Sequence, residues 1–146
     1  MKRTFALLFV FLIVIFVVLF TRVKTMRNHN LEVMNFNSNY EIYNEDKLNG
    51  LDVATAINRA MSNNEKYSVE KDSEGFYNLD DKDCVEVYIS MIVDEEGNTK
   101  TYRMESFDKV GMNNFISSFG DANFKCTSIK YNQNTGKVNS ITFQNI

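Results

Sequence analysis

Tryptophan and proline are absent from this chain of 146 residues, and histidine occurs once. The single histidine, His29, disfavours a metal site with several histidine ligands and a Ser-His-Asp triad within the globular part. Acidic residues are absent from the first 27 positions, which hold five basic residues, whereas the other 119 positions hold 11 basic and 19 acidic residues. The charges are therefore +5 and −8. An acidic domain argues against nucleic acid as a partner.

Polar residues are also absent from the run Phe5–Phe20, whose sixteen positions are all apolar. As a helix rising about 1.5 Å per residue, the run extends roughly 24 Å, and Thr21 and Val23 lengthen it toward the roughly 30 Å of a bilayer core. We therefore predict a single-pass anchor in residues 1–27, with basic flanks, that contacts the lipid bilayer through Phe5–Phe20. A cleaved signal peptide is the alternative, but no pair of small residues spaced as A-x-A follows the run.

The basic residues flank the anchor almost evenly, so the positive-inside rule comes close to a tie. Lys2 and Arg3 precede the apolar run, and Arg22, Lys24 and Arg27 follow it. A short basic tip before an apolar run is the usual arrangement of a signal anchor. We predict that the N-terminus is cytoplasmic and that the domain lies outside the cytoplasmic membrane.

Residues 28–49 are rich in asparagine, which forms helices poorly, yet Phe36, Tyr40 and Tyr43 recur at helical spacing. A juxtamembrane stalk and a helix, either separate and short or continuing from the anchor, both fit this segment. Residues 50–146 form the predicted globular domain, with helices over about 51–62 and 107–119. Alternating apolar residues predict strands over 84–93, 99–104, 124–131 and 137–143, and a small hairpin joins 67–70 to 76–79. Short turns between strands imply antiparallel pairing, so the predicted fold class is α+β, with two helices on an antiparallel sheet of four to six strands.

Cys84 and Cys126, the two cysteines, each lie near the start of a predicted strand. Outside the cytoplasm an even pair favours a disulfide. The alternative is that both are small buried hydrophobic residues.

The polar face of the strand over 84–93 is a candidate partner surface, formed by Glu86, Tyr88 and Ser90 with Tyr102 nearby, because tyrosine is frequent at interfaces. Two acidic runs, Asp80–Asp83 and Asp94–Glu96, carry the oxygen ligands that calcium prefers, but neither has the alternating pattern of a calcium loop. Solvated turns explain them better. We expect no metal, no cofactor and no catalytic residue, since no nucleotide or nucleophile motif occurs.

The segment GLDVATAINRA, the KDSEG turn and the ending FKCTSIKYNQNTGKVNSITF resemble a group of small, uncharacterised single-pass bacterial membrane proteins, in which G-x-D-x-A-T-x-I-N-x-A follows an N-terminal anchor. The resemblance implies no activity. The layout of an apolar helix before an antiparallel sheet is also similar to type IV pilins and pseudopilins, although the chain has no glycine before Gly50 and no acid in the apolar run.

These observations favour a membrane-anchored, extracytoplasmic binding or assembly module with an unknown protein partner, rather than an enzyme. A pilin-like structural subunit is the first alternative. The second is a small hydrolase that uses acids such as Asp80, Asp81 or Asp83.

Overall fold

The computed structural model describes residues 2–94 and 96–146, with side chains described from Phe9 onward except at 95 and 108–110. The chain forms two compact units, Met1–Asn35 and Phe36–Ile146. The elements in chain order are α1 (Lys2–Glu41), β1 (Leu48–Asn49), α2 (Gly50–Lys66), β2 (Glu86–Ile92), β3 (Thr99–Arg103), α3 (Glu105–Val110), α4 (Met112–Phe119), β4 (Asn123–Tyr131) and β5 (Val138–Asn145). This is the α+β fold that the sequence predicts.

The first unit is the N-terminal part of α1. Its apolar side chains from Phe9 to Phe20 are all exposed, and the most apolar stretch has a mean hydropathy of 2.3. Thr21 and Thr25 donate their hydroxyl hydrogens to carbonyl groups one turn back, which suits an apolar environment. By length and composition, this helix can cross a membrane, as the sequence predicts.

The last turns of α1 belong to the second unit, which begins at Phe36 rather than at the predicted boundary, Gly50. Tyr40 is 2% exposed and Tyr43 is 5% exposed, so both are core residues. Two hydrogen bonds of Asn37 connect the helix to the end of the β4–β5 loop and the start of β5. The Asn37 amide oxygen accepts from the Val138 N–H at 2.8 Å, and its amide nitrogen donates to the Gly136 carbonyl at 2.9 Å. Of the two interpretations of residues 28–49, the helical one therefore holds through Glu41.

Helix α2 begins with a capping box in which the Asn49 side chain accepts from the Asp52 N–H and the Asp52 side chain accepts from the Asn49 N–H. Its buried stripe of small and branched residues faces the core: Val53, Ala54, Ala56, Ile57 and Ala60. Near its end, the buried Asn64 amide bonds both the N–H and the carbonyl of Val85, at 2.8 and 2.9 Å. This amide fixes α2 beside the start of β2.

The sheet has five strands in the order β1-β4-β5-β2-β3. All neighbouring pairs are antiparallel except β2 and β5, which are parallel, so the sheet is mixed. One face holds apolar residues from every long strand, including Val87, Ile89, Phe124, Ile141 and Phe143, all fully buried. The other face is polar, with Ser90 paired to Thr101 and Tyr88 paired to Thr142.

Two local predictions differ from the structure. The hairpin from 67–70 and 76–79 is absent as a pair of strands, and the described residues there form a single bridge between Lys71 and Tyr77. The helix predicted over 107–119 is two helices, because Gly111 has φ of 92°, a left-handed conformation that glycine tolerates and a helix interior does not. The stripe of Phe115, Ile116 and Phe119 still packs against the core.

Candidate functional site

The predicted partner surface does not exist as one surface. Glu86 is fully buried, and Tyr88 and Ser90 are half-buried on the polar face of the sheet. Tyr102 pairs directly with Ile89, so it lies on the apolar face, where its ring contacts the Phe107 ring with centroids 5.9 Å apart. The prediction was wrong for Tyr102 because the sequence alone does not fix the register of β3 against β2. A register shift of one residue moves each side chain of a strand to the opposite face of the sheet.

Glu86 belongs instead to a buried charge cluster centred on Arg103. The Arg103 Nη2 group donates to Glu86 Oε2 at 2.6 Å, to Glu105 Oε1 at 3.2 Å and to the Tyr77 carbonyl at 2.9 Å. The two glutamate side chains are 0% and 1% exposed, whereas the arginine is 25% exposed. Glu105 Oε1 also accepts the Tyr77 N–H at 2.8 Å. The cluster therefore ties β2, the start of α3 and the loop at Tyr77 together.

Burial removes the Glu86 carboxyl from water and holds its pKa well above its ordinary value. The hydrogen bond from Arg103 lowers this pKa, and the charge of Glu105 raises it. One guanidinium faces two carboxylates, so a proton on Glu86 relieves the excess negative charge. Glu86 has no exposed surface, so its contacts are with neighbouring groups of the domain.

The raised pKa of Glu86 makes the stability of the domain fall as the pH rises. Glu86 binds its proton more tightly in the folded state than in the unfolded state. Its contribution to the free energy of unfolding is therefore fully present below pH 4.5 and is lost as the pH rises from about 4.5 to about 7. We expect the free energy of unfolding of the full chain in detergent, measured by urea titration with tyrosine fluorescence, to fall across this range. The Glu86→Gln variant should show a smaller fall.

Asp72→Asn is the matched control for this pH experiment. Backbone N–H groups of Phe76 and Glu74 lower the pKa of Asp72 below 3.8, so its effect on stability lies at more acidic pH. The control should keep the slope of the unmodified chain between pH 4.5 and pH 7. A slope that is the same in all three proteins would contradict the assignment to Glu86.

An open cavity of about 490 Å³ lies beside the charge cluster. Its lining mixes charges of both signs and consists of Glu70, Lys71, Asp72, Tyr77, Asn78, Leu79, Asp80 and Arg103. Of the acids that a hydrolase would need, Asp83 forms an ion pair with Lys137 at 3.5 Å and Asp81 accepts the N–H of Asp83. The Asp81 hydrogen bond stabilises a local turn, whereas the Asp83 ion pair joins this turn to the residue that precedes β5.

The acidic turn Asp94–Glu96 includes Glu95, which lies outside the described residues. Asp94 accepts hydrogen bonds from the backbone and side chain of Asn98, which lower its pKa. Within the described part of the chain, no group of three or more His, Cys, Asp or Glu residues is placed to hold a metal ion.

Both cysteines are free thiols, so the disulfide alternative is not realised in this structure. Cys126 pairs with Phe143, and Phe143 pairs with Ile89, five positions beyond Cys84. Two strand spacings and five residues along a strand place the thiols roughly 19 Å apart, whereas disulfide-linked Cα atoms lie within about 7 Å. Burial raises the pKa of the Cys84 thiol to about 12, which makes it unreactive.

Two adjoining apolar hollows lie where α3 and α4 meet the β2–β3 edge, with volumes of about 250 and 350 Å³. Tyr102, Phe107 and Phe119 line both hollows. Of these three residues, Phe119 belongs to the apolar stripe of the predicted helix, and such a stripe predicts burial and not a hollow.

A fourth concavity, which we call the helix cleft, lies between the end of α1 and α2 and has a volume of about 310 Å³. The residues that line it are Phe36, Asn39, Tyr40, Arg59, Ser62, Asn63, Lys66 and Tyr67. Arg59, Ser62, Asn63 and Lys66 recur at helical spacing on one face of α2. The apolar periodicity of α2 does not predict this face, because it marks only the stripe that packs in the core.

The comparisons with known proteins found nothing similar: no protein-family model, no curated protein and no solved structure matches the chain.

Proposed function

We propose that this protein is a non-catalytic binding module held at the outer side of the cytoplasmic membrane by its N-terminal helix. The observation that supports it best is the helix itself, whose apolar side chains from Phe9 to Phe20 are all exposed. Exposed apolar side chains over such a length are unfavourable in water and favourable in lipid. The acidic domain that follows offers concave surfaces rather than a set of converging catalytic groups.

The sidedness of the domain is the part of this proposal that one experiment decides. Bacterial cells that express the full chain with a C-terminal epitope are converted to spheroplasts and treated with protease. We expect loss of the epitope and survival of a membrane-embedded fragment, because the basic tip Lys2-Arg3 keeps the N-terminus inside. Neutral substitutions at Lys2 and Arg3 should produce a mixture of orientations, whereas neutral substitutions at Arg22, Lys24 and Arg27 should strengthen the outward placement.

Two other results would overturn the placement. An epitope that resists protease until the spheroplasts are lysed places the domain in the cytoplasm. An epitope found in the medium, on a chain with a new N-terminus near residue 25, identifies a cleaved signal peptide.

A pilin-like structural subunit is the second candidate, and one observation favours it. Helix α1 runs without a break from Lys2 to Glu41, and Tyr40 near its end lies in the core of the sheet domain. Such a subunit would associate through its apolar helix, whereas a simple tether would leave the chain monomeric in detergent. Chemical crosslinking in membranes, followed by electrophoresis, separates the two: a ladder of oligomers supports the subunit, and a single monomer band supports the tether.

A further inference from the structure

The helix cleft differs from the rest of the domain in its charge. The segment 28–146 has a net charge of −8, yet the cleft is lined by two cations, Arg59 and Lys66, and by no acid. The cavity at Tyr77, by comparison, is lined by three acids and two cations. Neither Arg59 nor Lys66 forms an ion pair with any carboxylate that the structure describes. Their charges are therefore available to a bound anion.

The two cations are held in place by neighbours that leave their charge unneutralised. The Arg59 guanidinium donates to the Asn39 carbonyl and lies over the Tyr43 ring, 5.6 Å from its centre. The Lys66 ammonium lies 5.1 Å from the centre of the Tyr67 ring. Groups that are already oriented lose less freedom when they bind a ligand, which favours affinity.

The remaining lining residues suit a ligand with hydroxyl groups and a ring. The Ser62 hydroxyl has no partner within the described residues, and the Asn63 amide nitrogen is used by the Asp83 carbonyl at 2.8 Å, which leaves the Asn63 amide oxygen as an acceptor. The Tyr67 ring is 38% exposed, and the ammonium groups of Lys66 and Lys137 lie 5.1 and 5.5 Å from its centre. A volume of 310 Å³ lies at the lower end of the range for small-molecule sites and fits one sugar unit.

We propose that the helix cleft binds an acidic sugar, a pyranose that carries a carboxylate or a phosphate. The planar guanidinium of Arg59 matches a carboxylate or phosphate group, and Lys66 adds a second positive charge. Ser62 and Asn63 bind the sugar hydroxyl groups, and the exposed part of the Tyr67 side chain borders the sugar. This assignment rests on the proposed function of a binding module and names the class of its ligand.

The test uses the purified full chain in phosphatidylcholine nanodiscs, because many detergents carry sugar headgroups. Titration calorimetry and saturation-transfer NMR are carried out with four probes: glucuronate, glucose 6-phosphate, glucose and inorganic phosphate. We expect both acidic sugars to bind at least tenfold more tightly than glucose and than phosphate. Raised salt should weaken their binding.

Lys66→Gln is the main variant, since Lys66 is exposed and its loss should leave the fold intact. We expect it to weaken the binding of both acidic sugars about three- to tenfold, and Arg59→Gln to weaken it more than tenfold. Lys130→Gln, an exposed cation on β4, is the matched control and should bind as the unmodified chain does. Circular dichroism verifies that each variant is folded.

Several results would overturn the assignment. Glucose binding as tightly as glucuronate would remove the role of the charges, and phosphate binding as tightly as glucose 6-phosphate would remove the role of the ring. Equal affinity in Lys66→Gln and Lys130→Gln, or no binding by any probe, would also exclude it. The binding assay does not depend on the side of the membrane on which the domain lies. A failure of this assay can therefore be distinguished from a failure of the protease experiment.

Discussion

Replacing Arg103 by methionine should lower the free energy of unfolding by about 3–5 kcal/mol at pH 7, the typical cost of removing one partner from a buried ion pair. The substitution leaves the buried carboxyl groups of Glu86 and Glu105 close together without the guanidinium, so at pH 7 they must either carry unpaired charge or take up a proton at a cost in free energy. It also removes the hydrogen bond to the Tyr77 carbonyl. Urea titration of the full chain in detergent, followed by tyrosine fluorescence, measures the loss.

Two further measurements separate this explanation from a simple loss of packing. The loss should shrink as the pH falls toward 4.5, because protonation removes the unpaired negative charges. Adding Glu86→Gln to Arg103→Met should recover part of the stability. Lys100→Met, an exposed cation on the same strand, should change stability by no more than about 0.5 kcal/mol. A loss that does not vary with pH, or that Glu86→Gln does not reduce, would refute the role given to the charges.

Replacing Gly50 by alanine should destabilise the domain by about 3 kcal/mol, at the upper end of what overpacking costs. Gly50 opens α2, and an added Cβ would lie 1.8 Å from the Phe119 carbonyl oxygen and 2.6 Å from its carbon. Both atoms belong to the backbone at the end of α4, so no side chain can rotate away. The two helices must separate, which opens the core around Phe115 and Phe124.

The control for Gly50→Ala is Asn58→Ala, an exposed position in the middle of the same helix. It should leave stability unchanged or raise it slightly, since alanine is the better helix former. Thermal unfolding followed by circular dichroism at 222 nm compares the two variants directly. A midpoint for Gly50→Ala equal to that of the control would show that α2 and α4 are not in close contact at this point.

The sequence predicted those parts of the fold that depend on local periodicity. The alternation of Val85, Val87 and Ile89 placed β2, and the stripe Val53, Ile57 and Ala60 placed α2, because each pattern repeats with the period of its element. The apolar run before Arg22 predicted a helix able to cross a membrane for the same reason.

The parts that depend on contacts distant in sequence were not predictable in this way. The parallel pairing of β2 with β5 and the pairing of Tyr102 with Ile89 are set by strand order and register, on which a single strand carries no information. The burial of Glu86 depends on Arg103 and Glu105, which no spacing rule connects to it. The helix cleft depends on how α1 meets α2, so its cations look like ordinary surface residues in the sequence.

The position of β5 in the sheet also determines the order in which the domain can fold. It lies between β4 and β2, so the antiparallel hairpins β2–β3 and β4–β5 can each form locally while the sheet is still divided. They join only when Val87 meets Ile141 and Ile89 meets Phe143, pairs whose partners are far apart along the chain. Closing that long loop is an entropic barrier that local contacts cannot reduce. The docking of two preformed hairpins should therefore limit the rate of folding. Replacing the apolar residues that join β2 to β5 by smaller ones should slow folding more than it accelerates unfolding.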